Sequence, residues 1–438
     1  MKKYGILLTG LMLAYGIFGC GQEAVDITVG LDGYGKATLA NGITLLVNVD
    51  KSTSLSAGRI LIGGGVLTED EVDNGITNLT VKMLLKGNNT MTAEQISQEL
   101  DFLGATVSTD CFKDYSAISF VSLTENFPKV VDIIARSLMN PSFPEEELEK
   151  LKTEVEGDLK SEEDNQTGAS NKLFWTTAFG DKSYGLPNYG TMETLPRIAI
   201  EDIREYYNDY VGGRNLIISV ATDMDAKELA SLMTKSFGQL KADAELAPAP
   251  ALELQGETTG FKEYDRNQSF VFTGIILEHP TLKQACYISL LDEVMGKNVG
   301  SRLWFLRQKE KLAYAVYTQD IFNKYCASFR AAIGTDTSKV KLALSSLDRE
   351  WNKMAAEGIT EAEFADARVN LKNNLIYQID KKNNRANNMA TYEYIGYGQK
   401  FVPEMIALVD EVTVEEMNEY IMGTMGAATR YTSIVGKK

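Results

Sequence analysis

The chain has 438 residues, 44% apolar and 24% charged, which is ordinary for a folded protein and excludes large-scale disorder. It is long enough for at least two domains, because single cores stop growing near about 250 to 300 residues. Lys and Arg total 44 against 60 Asp and Glu, and the formal charge of -16 argues against sequence-independent nucleic-acid binding, which rests on basic surface.

The first stretch, MKKYGILLTGLMLAYGIFGCGQE, has two lysines, an apolar run of about 14 residues that is shorter than a membrane span, and a small residue before a cysteine. Residues 1–20 therefore read as a secretory signal. Ile17-Phe18-Gly19-Cys20 resembles a bacterial lipobox, which implies lipid attachment at Cys20; an ordinary signal with an unrelated cysteine is the alternative. Phe18 departs from the small residue usual there, and Gly21 is not the Asp that holds many such lipoproteins in the inner membrane. The expectation is a cell-envelope protein, anchored through its N-terminal lipid to the outer membrane. Cys111, Cys286 and Cys326 are odd in number and widely spaced, and read as buried free thiols.

KATLANGITLLVNV reads as a hairpin, with Asn41-Gly42 supplying the positive φ values of a type I′ turn. SAGRILIGGGV adds a strand. The acidic run Glu69, Asp70, Glu71 and Asp73 reads as a solvated loop rather than a carboxylate metal site. From Asp73 to Lys86, Ile76, Leu79, Met83 and Leu84 fall at helical spacing, and Gly87 is a good stop. Two further helices flank the strand pair ATVSTDCFKDYSAISFVSL, in the order TAEQISQELDFLG, strands, FPKVVDIIARSLMN. A long charged helix follows in PEEELEKLKTEVEGDLKSEEDN, and LIISVATDMD is a buried strand. Strands interleaved with helices predict an α+β fold, not a doubly wound parallel sheet.

The chain also repeats itself. Pro144-Glu-Glu-Glu-Leu-Glu-Lys150 is echoed by Thr360-Glu-Ala-Glu-Phe-Ala-Asp366, an offset of 216 (360 minus 144). Ile200-Glu-Asp-Ile-Arg-Glu-Tyr-Tyr207 is echoed by Val414-Glu-Glu-Met-Asn-Glu-Tyr-Ile421, an offset of 214 (414 minus 200). Two matches at nearly one offset predict a duplicated domain, each copy with an antiparallel-rich sheet, helices and its own core. The copies are expected at 27–241 and 257–438, joined by a linker at 242–256 where Pro248 and Pro250 favour extended chain.

The order of five segments resembles the pitrilysin and insulinase type of zinc metallopeptidase, in the two-domain form of mitochondrial processing peptidase. They are GITNLTVKMLLKG, LDFLGATVSTDCFKDYSAISF, LMNPSFPEEELEKLKTEVEGDLKSEEDN, SYGLPNYGTMETLPRIAIEDIREYYNDYV and GSRLWFLRQKEKLAYAVY, and the resemblance spans nearly the whole mature chain. It implies two homologous domains forming a clam-like half chamber. Active members carry His-x-x-Glu-His on the first of these helices and a later Glu as third zinc ligand. The matching positions here hold Asn78, Val81 and Lys82, and the third falls on Asp158. With His279 the chain's one histidine, no such motif exists, and His279 itself reads as a loop residue beside Pro280. A Lys82 ammonium paired with Asp158 is expected to fill the vacated space.

The resemblance also matches Arg307 and Tyr314, seven apart, to an Arg and Tyr pair that the family's other domain sets opposite the zinc. Such a pair can hold a substrate carbonyl and its developing oxyanion. Local sequence leaves open a plainer reading, with Arg307 a solvated helix residue and Tyr314 the first aromatic of a strand. The chain is expected to break from helix toward the strand AYAVY between Gln308 and Lys311.

Lacking the zinc motif but keeping the Arg and Tyr, the chain looks like the metal-free subunit of a heterodimeric zinc peptidase. No autonomous activity and no cofactor of its own are expected; the zinc belongs to a His-x-x-Glu-His partner. Peptide substrate would add to a sheet edge near Ala105 to Asp110. An inactive peptide-binding or scaffold protein of the same fold is the alternative, and a stand-alone hydrolase with an unconventional metal at Asp158 is the third.

Overall fold

A computed structural model describes residues 24–437. Cys20 and the lipobox lie outside the described residues.

The first half contains β1 (Tyr34–Thr38), β2 (Thr44–Val49), β3 (Leu55–Gly63), α1 (Ile76–Met83), α2 (Ala93–Phe102), β4 (Thr106–Cys111), β5 (Tyr115–Leu123), α3 (Phe127–Met139), α4 (Glu145–Asp164), α5 (Gln166–Phe179), α6 (Ile200–Tyr210), β6 (Leu216–Thr222) and α7 (Ala226–Phe237). The second half contains β7 (Thr259–Glu263), β8 (Gln268–Glu278), α8 (Leu282–Asp292), α9 (Trp304–Gln308), β9 (Ala315–Phe322), β10 (Cys326–Asp336), α10 (Val340–Glu357), α11 (Glu361–Asp380), α12 (Lys382–Ile395), α13 (Phe401–Glu411), α14 (Val414–Tyr420) and β11 (Arg430–Gly436). Between α7 and β7, residues 242–258 form no regular element.

The strands build two sheets, in the orders β1-β2-β6-β3-β5-β4 and β7-β11-β8-β10-β9. Without β1 the two orders correspond strand for strand, and so do the directions. β2 with β6 and β7 with β11 are parallel pairs, and every other pair is antiparallel. The long helices α4 and α11 begin at Glu145 and Glu361, an offset of 216 (361 minus 145). The fold is therefore α+β, built from two copies of one sheet-and-helix unit, with β4 and β9 as matching free edges.

Each half has a large core of its own, as its apolar spacing predicts. The second face of each sheet, however, is covered by a helix of the other half. α5 lies across β11, β8 and β7, while α12 lies across β3, β6 and β2. Ala386 of α12 reaches the first sheet between Ala57 and Ala221, all three fully buried, and their small side chains let backbone approach backbone. On the other side Phe174, Trp175 and Phe179 of α5 pack with Phe270, Phe272 and Tyr431 of the second sheet. Polar contacts repeat the exchange. Ser219 Oγ donates to the carbonyl of Ala386 (2.6 Å), and Ser433 Oγ donates to the carbonyl of Ser170 (2.7 Å).

The first hairpin differs from the type I′ expectation. Gly42 N–H donates to the Leu39 carbonyl (2.9 Å), Leu39 N–H donates to Ile43, and Gly42 alone in the loop has positive φ (+92°). This is a three-residue loop with glycine at the left-handed position. Asn41 stays at negative φ because its buried amide is committed elsewhere, donating to the carbonyls of Phe237 and Leu240.

Because each sheet is closed by the other half's helix, unfolding is expected to be one transition rather than two. Ser219→Ala and Ser433→Ala should each lower stability by about 0.5–1.5 kcal/mol, the usual net worth of a hydrogen bond. Urea titration followed by circular dichroism checks both, and two resolved transitions would contradict the interlock.

Candidate functional site

Helix α1 packs against α4, α6 and β4, at the end of the first sheet. Its start is set from within the acidic run. Glu69 is buried, and its carboxylate accepts from the Asn74 side-chain amide (2.7 Å) and from the backbone N–H groups of Gly75 and Thr77 (both 2.9 Å). Glu69 thus satisfies donors that a helix N-terminus leaves open, which corrects the reading of the whole run as solvated. Burial pushes its carboxyl up to about 7, against the pull of those donors. Asp70 and Glu71 are the exposed part; Asp70 and the half-buried Asp73 bond each other's backbone in a local turn. Nearby, the carbonyl of Gly65 accepts from Thr77 Oγ1 (3.1 Å), and a Cβ on Gly65 would meet the backbone of Tyr115 at 2.4 Å. That glycine and Glu69 hold the helix in place, and neither role shows in local sequence.

Asn78 and Val81 are both 1% exposed, and Val81 belongs to the main core of the first half. The side-chain nitrogen of Asn78 is buried without a partner. Lys82 faces outward into a cleft of about 310 Å³ between α1, α4 and the free edge of β4, lined by Leu151, Glu154 and Val107 to Thr109. Its ammonium lies 3.5 Å from Glu154, not against Asp158. Asp158 sits one turn further along α4, exposed and in no ion pair among the described residues. An amide, an aliphatic chain and a cation in place of two imidazoles and a general base do not fit a zinc ion; the ammonium would repel one.

The second half has a counterpart to this corner. Asn374 on α11 matches Asp158 at an offset of 216 (374 minus 158) and donates to Glu293, just past α8 (2.7 Å). Asp292 and Glu293 are buried, with the Lys297 ammonium 3.1 and 3.8 Å away. Burial pushes both carboxyls up. Here the lysine lies between two carboxylates, where Lys82 meets one.

Arg307 lies in the last turn of α9, exposed, with its guanidinium 5.0 Å from the centre of the Trp304 ring. The chain leaves the helix after Gln308, turns at Lys311 (φ +52°) and enters β9 at Ala315, the break expected from sequence. Tyr314 N–H donates to Gly334 (3.1 Å), and its ring lies on that glycine, where a Cβ would meet Cζ at 2.5 Å. The ring is 44% exposed. No hydrogen bond to protein engages the guanidinium or the phenol among the described residues, and the guanidinium stacks on Trp304 rather than on the Tyr314 ring. The neighbouring Arg302 differs: it makes a two-pronged bond to Glu363 (2.6 and 2.8 Å), a structural tie to α11.

His279 follows β8 in a loop, its Nδ1 2.9 Å from the Asn323 carbonyl and its ring against Tyr397. Cys111, Cys286 and Cys326 are buried free thiols. Among the described residues no group of His, Cys, Asp and Glu could hold a metal ion, and no helix is long and apolar enough to cross a membrane.

Residues 45–192 match the family model described as Insulinase (Peptidase family M16), and residues 197–371 match the Peptidase M16 inactive domain. The chain is 24% identical over 384 residues to the uncharacterized zinc protease YmxG of Bacillus subtilis, covering 87% of this chain and 93% of that one. It is similar in fold to the crystal structure of a peptidase M16 inactive domain from Pseudomonas fluorescens (TM-score 0.84, 18% identity, 92% of this chain and 98% of that chain). It is likewise similar to a chain of Complex III2 from Candida albicans (TM-score 0.80, 16% identity, 92% and 95%).

A carboxyl whose pKa is higher folded than unfolded binds its proton more tightly in the folded state. Glu69's contribution to stability is thus complete below about 4.5 and is lost as pH rises toward about 7. Glu69→Gln is expected to flatten the fall in melting temperature across that window; an unchanged pH profile would show that Glu69 is ionised throughout.

Proposed function

Because the chain belongs to the insulinase-type M16 peptidase family, we propose that it is the metal-free subunit of a heterodimeric zinc peptidase. Its partner is a homologous subunit with His-x-x-Glu-His, which holds the zinc; this chain brings Arg307 and Tyr314 to that subunit's site. One contrast carries the reading: the zinc positions are closed by Asn78, Val81 and Lys82, while Arg307 and Tyr314 stand exposed with their donors uncommitted. A guanidinium and a phenol can bind a peptide carbonyl and stabilise the oxyanion formed as water attacks. The lower dielectric of a closed chamber would strengthen both bonds.

The free edge of β4 is where substrate backbone would add as a further strand, through main-chain hydrogen bonds that ask little of sequence. Lipidation at Cys20 would tether the complex in the bacterial envelope, on the outer membrane, with peptides as substrates. A scaffold role is the second reading, favoured by the likeness to a chain of Complex III2.

Co-expression with a His-x-x-Glu-His relative and a peptide-cleavage assay test the proposal. Arg307→Ala with Tyr314→Phe is expected to lower kcat/KM by about 10²–10³-fold, the usual effect of removing oxyanion donors, while the pair still co-purifies. Unchanged cleavage by the double variant would refute the assigned roles, and a pair that forms without cutting would favour the scaffold.

A further inference from the structure

A cavity of about 370 Å³, within the usual range for small-ligand sites, lies at the seam between the halves. Its walls come from α5, the β4–β5 turn, residues 185–189, and β9 and β10 of the other half. Three of its wall residues are cations, Lys113, Lys172 and Arg330, and one is an anion, Glu162. That balance is the reverse of the chain's charge of -16.

Arg330 is the informative one. It is 3% exposed, and its guanidinium lies over Phe272, Phe174 and Trp175, at 4.4, 5.1 and 5.7 Å from the ring centres. Those ring faces steady the charge but accept none of its in-plane N–H groups. Nη2 donates to Gln319 (3.0 Å), whereas Nε and Nη1 are buried without any acceptor. No carboxylate pairs with it among the described residues. A buried cation left unpaired is costly, so the site lacks an anion. Gly274 keeps the place open: a Cβ there would meet Arg330 Cα and Cβ at 2.4 Å.

The other wall groups narrow the ligand. Lys113 is already spent on the Leu186 carbonyl, and burial lowers its pKa to about 8. Lys172 is exposed at the mouth and in no ion pair among the described residues. Asn171 and Asn188 each line the cavity with a buried amide oxygen that has no donor. The wall therefore offers cationic donors to an anion and acceptors to an adjoining N–H. A peptide's C-terminal carboxylate, with its last amide N–H, has both in that order.

We propose that this seam is a binding site for the free C-terminal carboxylate of a peptide, with Arg330 and Lys172 holding the anion and Asn171 and Asn188 receiving its amide. The anion preference stands on the cavity alone; the choice of a peptide end rests on the peptide-handling function proposed above.

The test is calorimetric titration of the full chain, without a partner subunit, using trialanine, trialanine C-terminal amide and inorganic phosphate. Tryptophan fluorescence is followed in parallel because Trp175 lines the cavity. Trialanine is expected to bind and perturb the fluorescence, with the amide and phosphate at least about tenfold weaker, the signature of a lost charged contact with an N–H acceptor set. Lys172→Glu, at an exposed position, should weaken trialanine at least as much without moving the melting temperature; Arg330→Met should abolish binding. No binding, equal binding of acid and amide, or an inert Lys172→Glu would overturn the proposal. Phosphate matching trialanine would mean an anion site with no peptide preference and overturn the ligand assignment. Cleavage by the heterodimer is a separate readout, so either result can fail while the other stands.

Discussion

Two hydroxyl groups show the constraint on which the rest of the molecule depends. Ser219 in the first sheet bonds the carbonyl of Ala386 in the second half's α12, and Ser433 in the second sheet bonds the carbonyl of Ser170 in the first half's α5. The donors are related by an offset of 214 (433 minus 219) and the acceptors by one of 216 (386 minus 170), the two offsets at which the sequence repeats. One contact therefore occurs twice, related by the duplication. Each half lends the helix that dries the other's sheet, so neither sheet is complete alone. The seam, its aromatic layer and the cavity beside Arg330 all follow from that exchange.

The same rigidity holds α1 in place without any metal ligand on it. What positions α1 is the carboxylate of Glu69 at its start, the turn at Gly65 and the apolar contacts of Ile76, Leu79 and Met83, none of which needs a metal. Val81 belongs to the apolar core, and the Lys82 ammonium lies 3.5 Å from Glu154. In the second half Lys297 sits likewise among Asp292 and Glu293. The second half thus sets a lysine between two buried carboxylates, whereas in the first Lys82 meets Glu154 alone; Arg307 and Tyr314 make no side-chain hydrogen bond to protein among the described residues.

Much of this was legible in the sequence because the carriers are local or numerical. A single histidine decides against a two-histidine site whatever the fold, and a repeated offset announces two copies. The break after Gln308 is expected from the strand AYAVY that follows it. What escaped was settled by distance in the chain. Glu69 looks solvated until Asn74, Gly75 and Thr77 turn their donors onto it, and Lys82 prefers Glu154 to Asp158 by one turn of a helix far from it in sequence. Asn41-Gly42 carries a type I′ signature, but the buried Asn41 amide binds the end of α7 and overrides it. The exchange of α5 and α12 leaves no local trace, since an alanine such as Ala386 reads as helix former and not as a close contact with a distant sheet.

As proposed, this chain completes a site whose metal lies in another subunit. Native mass spectrometry of the chain, alone and mixed with a His-x-x-Glu-His relative, tests it most directly. A metal-free isolated chain and a one-to-one complex carrying a single zinc are expected. One zinc per isolated chain, or no complex with any such relative, would contradict it.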